Sequence, residues 1–490
     1  MPARTLRLAV KTLHPAVLML LCVLLYAGSA FIKIERYDNF TALVGFGCLT
    51  HDICYARNNE HMLPPNALVY LSGGYDGQFF YYLAAEIQGR GPAVLDSDAF
   101  RRSRIGYALL IAPAFLMGNT IAVVWQSVLL LVIHLLTIGV LYAYTYRMHA
   151  QDDFLLRTSG SAGGDMAGRV SRWLPIVYAF NPFSLQCFLL NVADGLALAL
   201  ALLALAFILP DLIIRSTETA IASDNQKSGG LSLYARLNRL GLPGKTLVAL
   251  LLIVLAVLTK ESMLALIPII LLPALANILR RMFQAGKTRL ADSFVPWSAI
   301  MVAISVLTVV IISAWWRHVD FSPTLAAERS GRPFEGMLVF LHHPDALISG
   351  RMLLIPLLVI SLVLVIAECV VLIRRQYKSY EIRSAWIALF DTDMALRFGN
   401  VLAALGIITV ISMATADEYW ANYANIMRLF TPLVLCLSIV PFAFYNTQAK
   451  RTGNWLMLGL LVYFLMFDAA IIRQEWTGRR LPAVSYELMR

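Results

Sequence analysis

Charge is what this chain has least of. Only 14% of its 490 residues are charged and 59% are hydrophobic, whereas soluble domains carry about a quarter charged residues. With a mean hydropathy of +0.69, the chain cannot cover several soluble cores with polar surface. Cysteine is scarce too. Of six cysteines, Cys22, Cys187, Cys369 and Cys436 fall within apolar runs, where packing is the simplest role. A disulfide-stapled secreted module is therefore excluded, and low charge without heptads excludes a disordered scaffold or a coiled coil. There is no CxxC pair, no HExxH, no P-loop, no GxGxxG after a strand, and no repeat with a convincing period. Soluble zinc or nucleotide chemistry thus has no support in the sequence.

Long apolar runs are abundant, and they predict an all-α polytopic integral membrane protein. The first, Ala16 to Ile32, follows Arg4, Arg7 and Lys11 with no small-residue cleavage signal behind it. It reads as an uncleaved span with its basic flank inside. Further runs near 120–146, 173–190, 195–213, 246–259, 263–279, 297–314, 352–373, 398–414, 428–445 and 454–472 bring the expectation to about eleven transmembrane helices. Residues 105–117 are thirteen apolar positions that reach about 20 Å against a hydrocarbon core of about 30 Å, so they read as re-entrant or interfacial.

This scheme places 147–172, 214–245 and 374–397 inside and leaves 34–103 and 315–351 outside. Residues 1–280 then form a membrane core with a long outer loop, and 281–490 add the C-terminal helices with outer loop 315–351. Forty Lys and Arg against thirty Asp and Glu give +10, which in such a chain reports orientation rather than affinity for nucleic acid. Acids concentrate on the outer side, and orientation alone does not require them there.

Outer-face polar residues gather in four segments. After Gly73-Gly74, Tyr75-Asp76-Gly77-Gln78-Phe79-Phe80-Tyr81-Tyr82 leads into Glu86. Phe80, Leu83, Ala84 and Ile87 make the stripe of an amphipathic helix, expected to lie flat at the membrane interface with Asp76 at its start. In the simpler account Asp76 only caps that helix. The second segment runs from Asn181-Pro182-Phe183-Ser184 to Asp194, at the junction of two spans. A buried acid there costs several kcal/mol unless paired or hydrated, though it too serves as a cap. The third is Leu258-Thr259-Lys260-Glu261-Ser262-Met263, whose adjacent charges could merely neutralise each other. The fourth is Asn422-Tyr423-Ala424-Asn425-Ile426-Met427-Arg428, where Arg428 either faces a ligand or snorkels as an anchor. Cys48 and Cys54, six positions apart in the outer loop, are either disulfide-bonded or free thiols.

Together these segments resemble the GT-C superfamily of polytopic glycosyltransferases, whose first lumenal or periplasmic loop carries a catalytic carboxylate. They are most similar to the bacterial YDGQFYY-type cell-surface glycopolymer glycosyltransferases and, more distantly, to GPI mannosyltransferase II. Lys260 stands where that pattern has Arg, and Met263 near its usual glycine. The resemblance implies a GT-C-like fold with an extracytoplasmic first loop containing interfacial helices, and inverting transfer with Asp76 as general base. It further implies substrate binding by Tyr75, Gln78, Tyr81, Glu86, Asp194, Lys260, Glu261 and Arg428. The donor is expected to be a polyprenyl-phosphate sugar, since nucleotide sugars are absent outside the cytoplasm, and the acceptor a glycan or glycolipid. The expected setting is the lipid of a bacterial inner membrane, with the site facing the periplasm or exterior. No certain cofactor is implied, and a divalent metal stays open, since His342-His343-Pro344-Asp345, with His318 and Asp320 in the same loop, could touch one although the loop has no recognisable ligand spacing. A lipid-linked oligosaccharide polymerase, a lipid-sugar transporter or flippase and a membrane scaffold stay open as alternatives.

Overall fold

A computed structural model describes residues 14–50, 52–158, 173–214, 241–285, 392–412, 427–428, 430–437, 450–478 and 480–489, with isolated positions between 307 and 370. Apart from those isolated positions, the runs at 297–314 and 352–373 and loop 315–351 with its histidines lie outside the described residues, as do Asn422 to Asn425.

The described chain is predominantly helical. Helix α1 (Pro15–Tyr37) starts on a proline, whose missing N–H costs nothing at the first helical position, and stops at Asp38 in a left-handed conformation. Among the described residues, four helices are long and apolar enough to cross a membrane: Pro15–Tyr37, Asn119–Thr145, Ala395–Ser412 and Met457–Thr477. The last three lie within α5 (Asn119–Thr158), α11 (Thr392–Ser412) and α12 (Lys450–Thr477). Shorter apolar helices fill the space between them. Among these, α8 (Ala193–Ile214) is buried on every side as far as Ala206, apart from Gly195. A helix apolar all round belongs in the middle of a bundle, and α5 and α9 (Gly241–Thr259) flank it.

One expected span is broken in two, and the short segment expected to be re-entrant or interfacial is a helix ending in a tight turn. The run at 173–190 is split into α6 (Leu174–Ala179) and α7 (Pro182–Leu189). Pro182 has no N–H to continue the first helix, and the Asn181 side chain accepts from the Phe183 N–H at 3.1 Å, starting a second one. The segment 105–117 is α4 (Ile105–Ile111) followed by a 3₁₀ turn, Ala112–Met117, which Gly118 at φ 111° reverses into α5.

The long loop between α1 and α4 is a small folded unit. Its strand β1 (Leu68–Tyr70) pairs antiparallel with β2 (Ala483–Ser485) from the C-terminal tail. On the other edge Tyr70 donates to the Phe46 carbonyl at 2.8 Å, and the Cys48 N–H donates to the Tyr70 carbonyl at 2.9 Å. Cys48 and Cys54 form a disulfide beneath this edge. Tyr486 donates its hydroxyl to Glu60 at 2.7 Å, and Arg36 donates to the Glu475 carbonyl at 2.8 Å. The C-terminal tail therefore lies on the side of the first loop.

The aromatic helix following Asp76, α2 (Gly77–Ile87), does not present one apolar face and one polar face. Every residue from Gly77 to Ala85 is buried. The stripe packs on α4 through Phe80 and Tyr107, while Phe79, Tyr81 and Tyr82, on other faces, have their own partners in Tyr55, Phe115 and Phe46. The stripe is present, but the loop folds over the remaining faces, so α2 is a core helix and not a flat interfacial one.

Candidate functional site

The starts of α2 and α8 are held against each other by close backbone approach. A Cβ on Gly77 would lie 2.6 Å from the Leu190 carbonyl oxygen, 2.8 Å from that of Val44 and 3.0 Å from that of Asn191. Gln126 of α5 bridges the same junction, donating to the Gly77 carbonyl at 3.0 Å and the Asn191 carbonyl at 3.2 Å. Upstream, Gly74 has φ +85° and a Cβ there would sit 2.3 Å from the Gly45 carbonyl oxygen, so only glycine lets the chain turn into Tyr75-Asp76. These contacts make neighbours of Asp76 and Asp194, which lie far apart in sequence.

Asp76 occupies the cap position of α2 without capping it, since its backbone is already helical and its side chain makes no cap hydrogen bond. Its carboxylate accepts instead from two guanidinium groups, Arg101 at 2.9 Å and Arg428 at 2.5 Å. Arg428 reaches on to Asp194 at 3.1 Å, and Asp194, only 2% exposed, takes Lys260 on its other oxygen at 2.9 Å. Arg101 is gripped through two nitrogens by Asp96, at 2.7 and 2.6 Å. Six charges thus alternate in one line: Asp96, Arg101, Asp76, Arg428, Asp194 and Lys260. Buried ions are tolerated when paired in this manner. Burial alone would raise the proton affinity of Asp76, but Arg101 and Arg428 outweigh it and hold the carboxyl well below the usual carboxylate range.

Lys260 and Glu261 do not neutralise each other. They turn to different partners, Lys260 to Asp194 and Glu261 to a two-toothed pair with Arg104, one bond of which measures 2.7 Å.

The remaining residues marked in the sequence have partners within the fold. Gln78 accepts from the Gly47 N–H at 3.0 Å and so clips the loop. Tyr81 donates to the Met62 carbonyl at 2.9 Å and the Asn119 carbonyl at 3.2 Å, tying the loop to the start of α5. The Glu86 carboxylate pairs with Arg102 and accepts from the Ala93 N–H at 2.8 Å. Tyr75 packs between the Tyr70 ring and the Lys33 ammonium. The structure therefore joins Asp76, Asp194, Lys260 and Arg428 directly, sets Glu261 beside them through Arg104, and gives Tyr75, Gln78, Tyr81 and Glu86 partners of their own.

Arg101, Arg104 and Asp96 went unmarked in the sequence. The signal is Arg101-Arg102-Ser103-Arg104, three arginines in four residues of a loop expected on the side where basic residues are disfavoured. Among the described residues, no group of three or more His, Cys, Asp or Glu side chains is placed to hold a metal ion.

No protein-family model and no curated protein matches this chain. Among solved structures, the crystal structure of ArnT from Cupriavidus metallidurans in the apo state is similar over 86% of this chain and 75% of that one, with 12% sequence identity and a TM-score of 0.36. A score that low transfers neither fold nor activity from one chain to the other.

Proposed function

We propose that this chain is a GT-C-type membrane glycosyltransferase that moves a sugar from a polyprenyl-phosphate donor to an extracytoplasmic glycan or lipid-linked acceptor, in a bacterial inner membrane with the site on the periplasmic face. The observation that carries the reading is the buried line of charges. Four residues from four separate sequence motifs meet in it, at helix ends beside the outer loop. Ionisable side chains buried in a membrane protein are costly, and function is the default reason to keep them.

In this reading the acceptor hydroxyl passes its proton to the Asp76 carboxylate while its oxygen bonds to the anomeric carbon from the face opposite the phosphate, inverting it. The bond from that carbon to the phosphate oxygen breaks, and the polyprenyl phosphate leaves as a monoester with one more negative charge. Lys260 and Arg428 are the cations that would meet that charge, each by loosening its hold on a carboxylate, the first as a point charge and the second as a planar fork. Asp194, held between them, fixes their separation.

The test is transfer of a radiolabelled sugar from polyprenyl-phosphate sugars to envelope acceptors by the purified protein in nanodiscs. Asp76→Asn is expected to insert and fold yet lose at least about two decades of rate, roughly 2.7 kcal/mol of barrier. Asp194→Asn should fall between it and wild type. Transfer at the normal rate by folded Asp76→Asn would remove the base from this scheme.

A further inference from the structure

The two guanidinium groups on Asp76 are not equivalent. Arg101 is fixed. It is 5% exposed, gripped by Asp96 through Nε and Nη2, and lies over the Phe79 ring at 4.5 Å, with Phe100 at 5.3 Å. Arg428 is the connecting member, shared between Asp76 and Asp194 and open to solvent over 16% of its side chain. If Arg428 turned away, neither carboxylate would be stranded, because Asp194 keeps Lys260 and Asp76 keeps Arg101. Lys260, at the end of the line, could turn away too, because Asp194 would keep Arg428, but of the two cations that hold Asp76 only Arg428 can leave without stranding a carboxylate, since Asp96 depends on Arg101.

The charge balance shows what would turn it. As built, three carboxylates face three cations, so an arriving phosphate adds a negative charge that no member of the line is free to match. Arg428 can match it only by loosening its hold on Asp76 or Asp194. Once it does, Asp96 and Asp76 share the single Arg101, and the uncompensated negative charge falls on Asp76. A carboxylate clamped by two guanidinium groups is a poor proton acceptor, and one clamped by a single shared group is a better one.

On the reading of the site given above, we propose that the donor's phosphate arms the base. It draws Arg428 off Asp76, so that Asp76 takes a proton only in the donor-loaded enzyme and the donor must bind before the acceptor reacts. Among the described residues, the charged and titratable groups around Asp76 are Arg101 of α3 (Asp98–Arg102), Arg428, Asp194 behind Arg428, Asp96 behind Arg101, and the neighbouring Tyr75. Of these only Arg428 is exchanged.

The experiment follows the protonation of Asp76 itself. Infrared difference spectra, wild type minus Asp76→Asn in nanodiscs, are titrated with and without polyprenyl phosphate, and binding of that lipid is measured separately by calorimetry. Bound lipid should move the Asp76 midpoint upward by at least about one pH unit, a tenfold gain in proton affinity. Arg428→Gln should show a raised midpoint before lipid is added and little further movement, and Arg428→Lys supplies the same comparison if Arg428→Gln does not fold. Lipid that binds without moving the midpoint overturns this inference and leaves the donor site standing. Lipid that does not bind at all overturns the donor site and this inference with it.

Discussion

Replacing Arg428 with alanine separates a working ion network from an interfacial anchor. Arg428 holds Asp76 at 2.5 Å and Asp194 at 3.1 Å, and Asp194 is nearly sealed from water. Each charge-assisted hydrogen bond contributes about 1.5–3 kcal/mol, and removing one partner of a buried pair costs about 3–5 kcal/mol. Both carboxylates keep a second cation, and Asp76 is 24% exposed, so water screens part of the loss. These effects place Arg428→Ala at the lower end, about 3 kcal/mol less stable than wild type. Arg428→Lys, a point charge that reaches one carboxylate well, should lose about half of that. The assay is equilibrium unfolding in mixed micelles, extended to a double-mutant cycle with Asp194→Asn, in which the pair should couple by at least about 1 kcal/mol. A snorkelling anchor predicts a change within about 0.5 kcal/mol and no coupling. That result would refute the network as a structural fact, independently of any catalysis.

Three further outcomes follow from particular contacts. Gly77→Ala forces a methyl group against three carbonyl oxygens and should destabilise by about 1–3 kcal/mol, whereas Gly28→Ala, inside α1 with nothing within 4 Å, should be neutral or slightly stabilising by the same unfolding measurement. With Cys369 replaced, cysteines introduced at Asn58 and Leu488, both exposed, should label with an impermeant thiol reagent from the same side of the membrane. Labelling from opposite sides would contradict the β1–β2 pairing. Asp76 has a lowered proton affinity in the folded state, so its stabilisation is complete above the unfolded carboxylate value of about 3.9 and is lost only as pH falls below it. The stability gap between wild type and Asp76→Asn should therefore stay constant from about pH 8 to pH 5 and shrink only under strong acid. A gap that varies within that neutral window would mean Asp76 is not clamped as described.

Hydropathy alone determined that this is a helical membrane chain, because burying 59% hydrophobic residues needs lipid and helices that satisfy their own backbones. Local composition likewise marked Asp76, Asp194, Lys260 and Arg428, since charge beside an apolar run is conspicuous in one dimension. Chain order could not reveal who pairs with whom. Gln78, Tyr81 and Glu86 follow Asp76 closely in the chain, but on a helix buried nearly all round each side chain leaves in its own direction, to the Gly47 N–H, the Met62 carbonyl and Arg102. The burial of α2 was hidden for a related reason. Its stripe predicts one covered face, and only the loop's own return, closed by the C-terminal strand and the disulfide, covers the others. The alternating line of charges belongs wholly to tertiary structure. It exists because glycine-sized backbone contact at Gly77 sets the starts of α2 and α8 side by side, and Arg428, from hundreds of residues away in the chain, completes it.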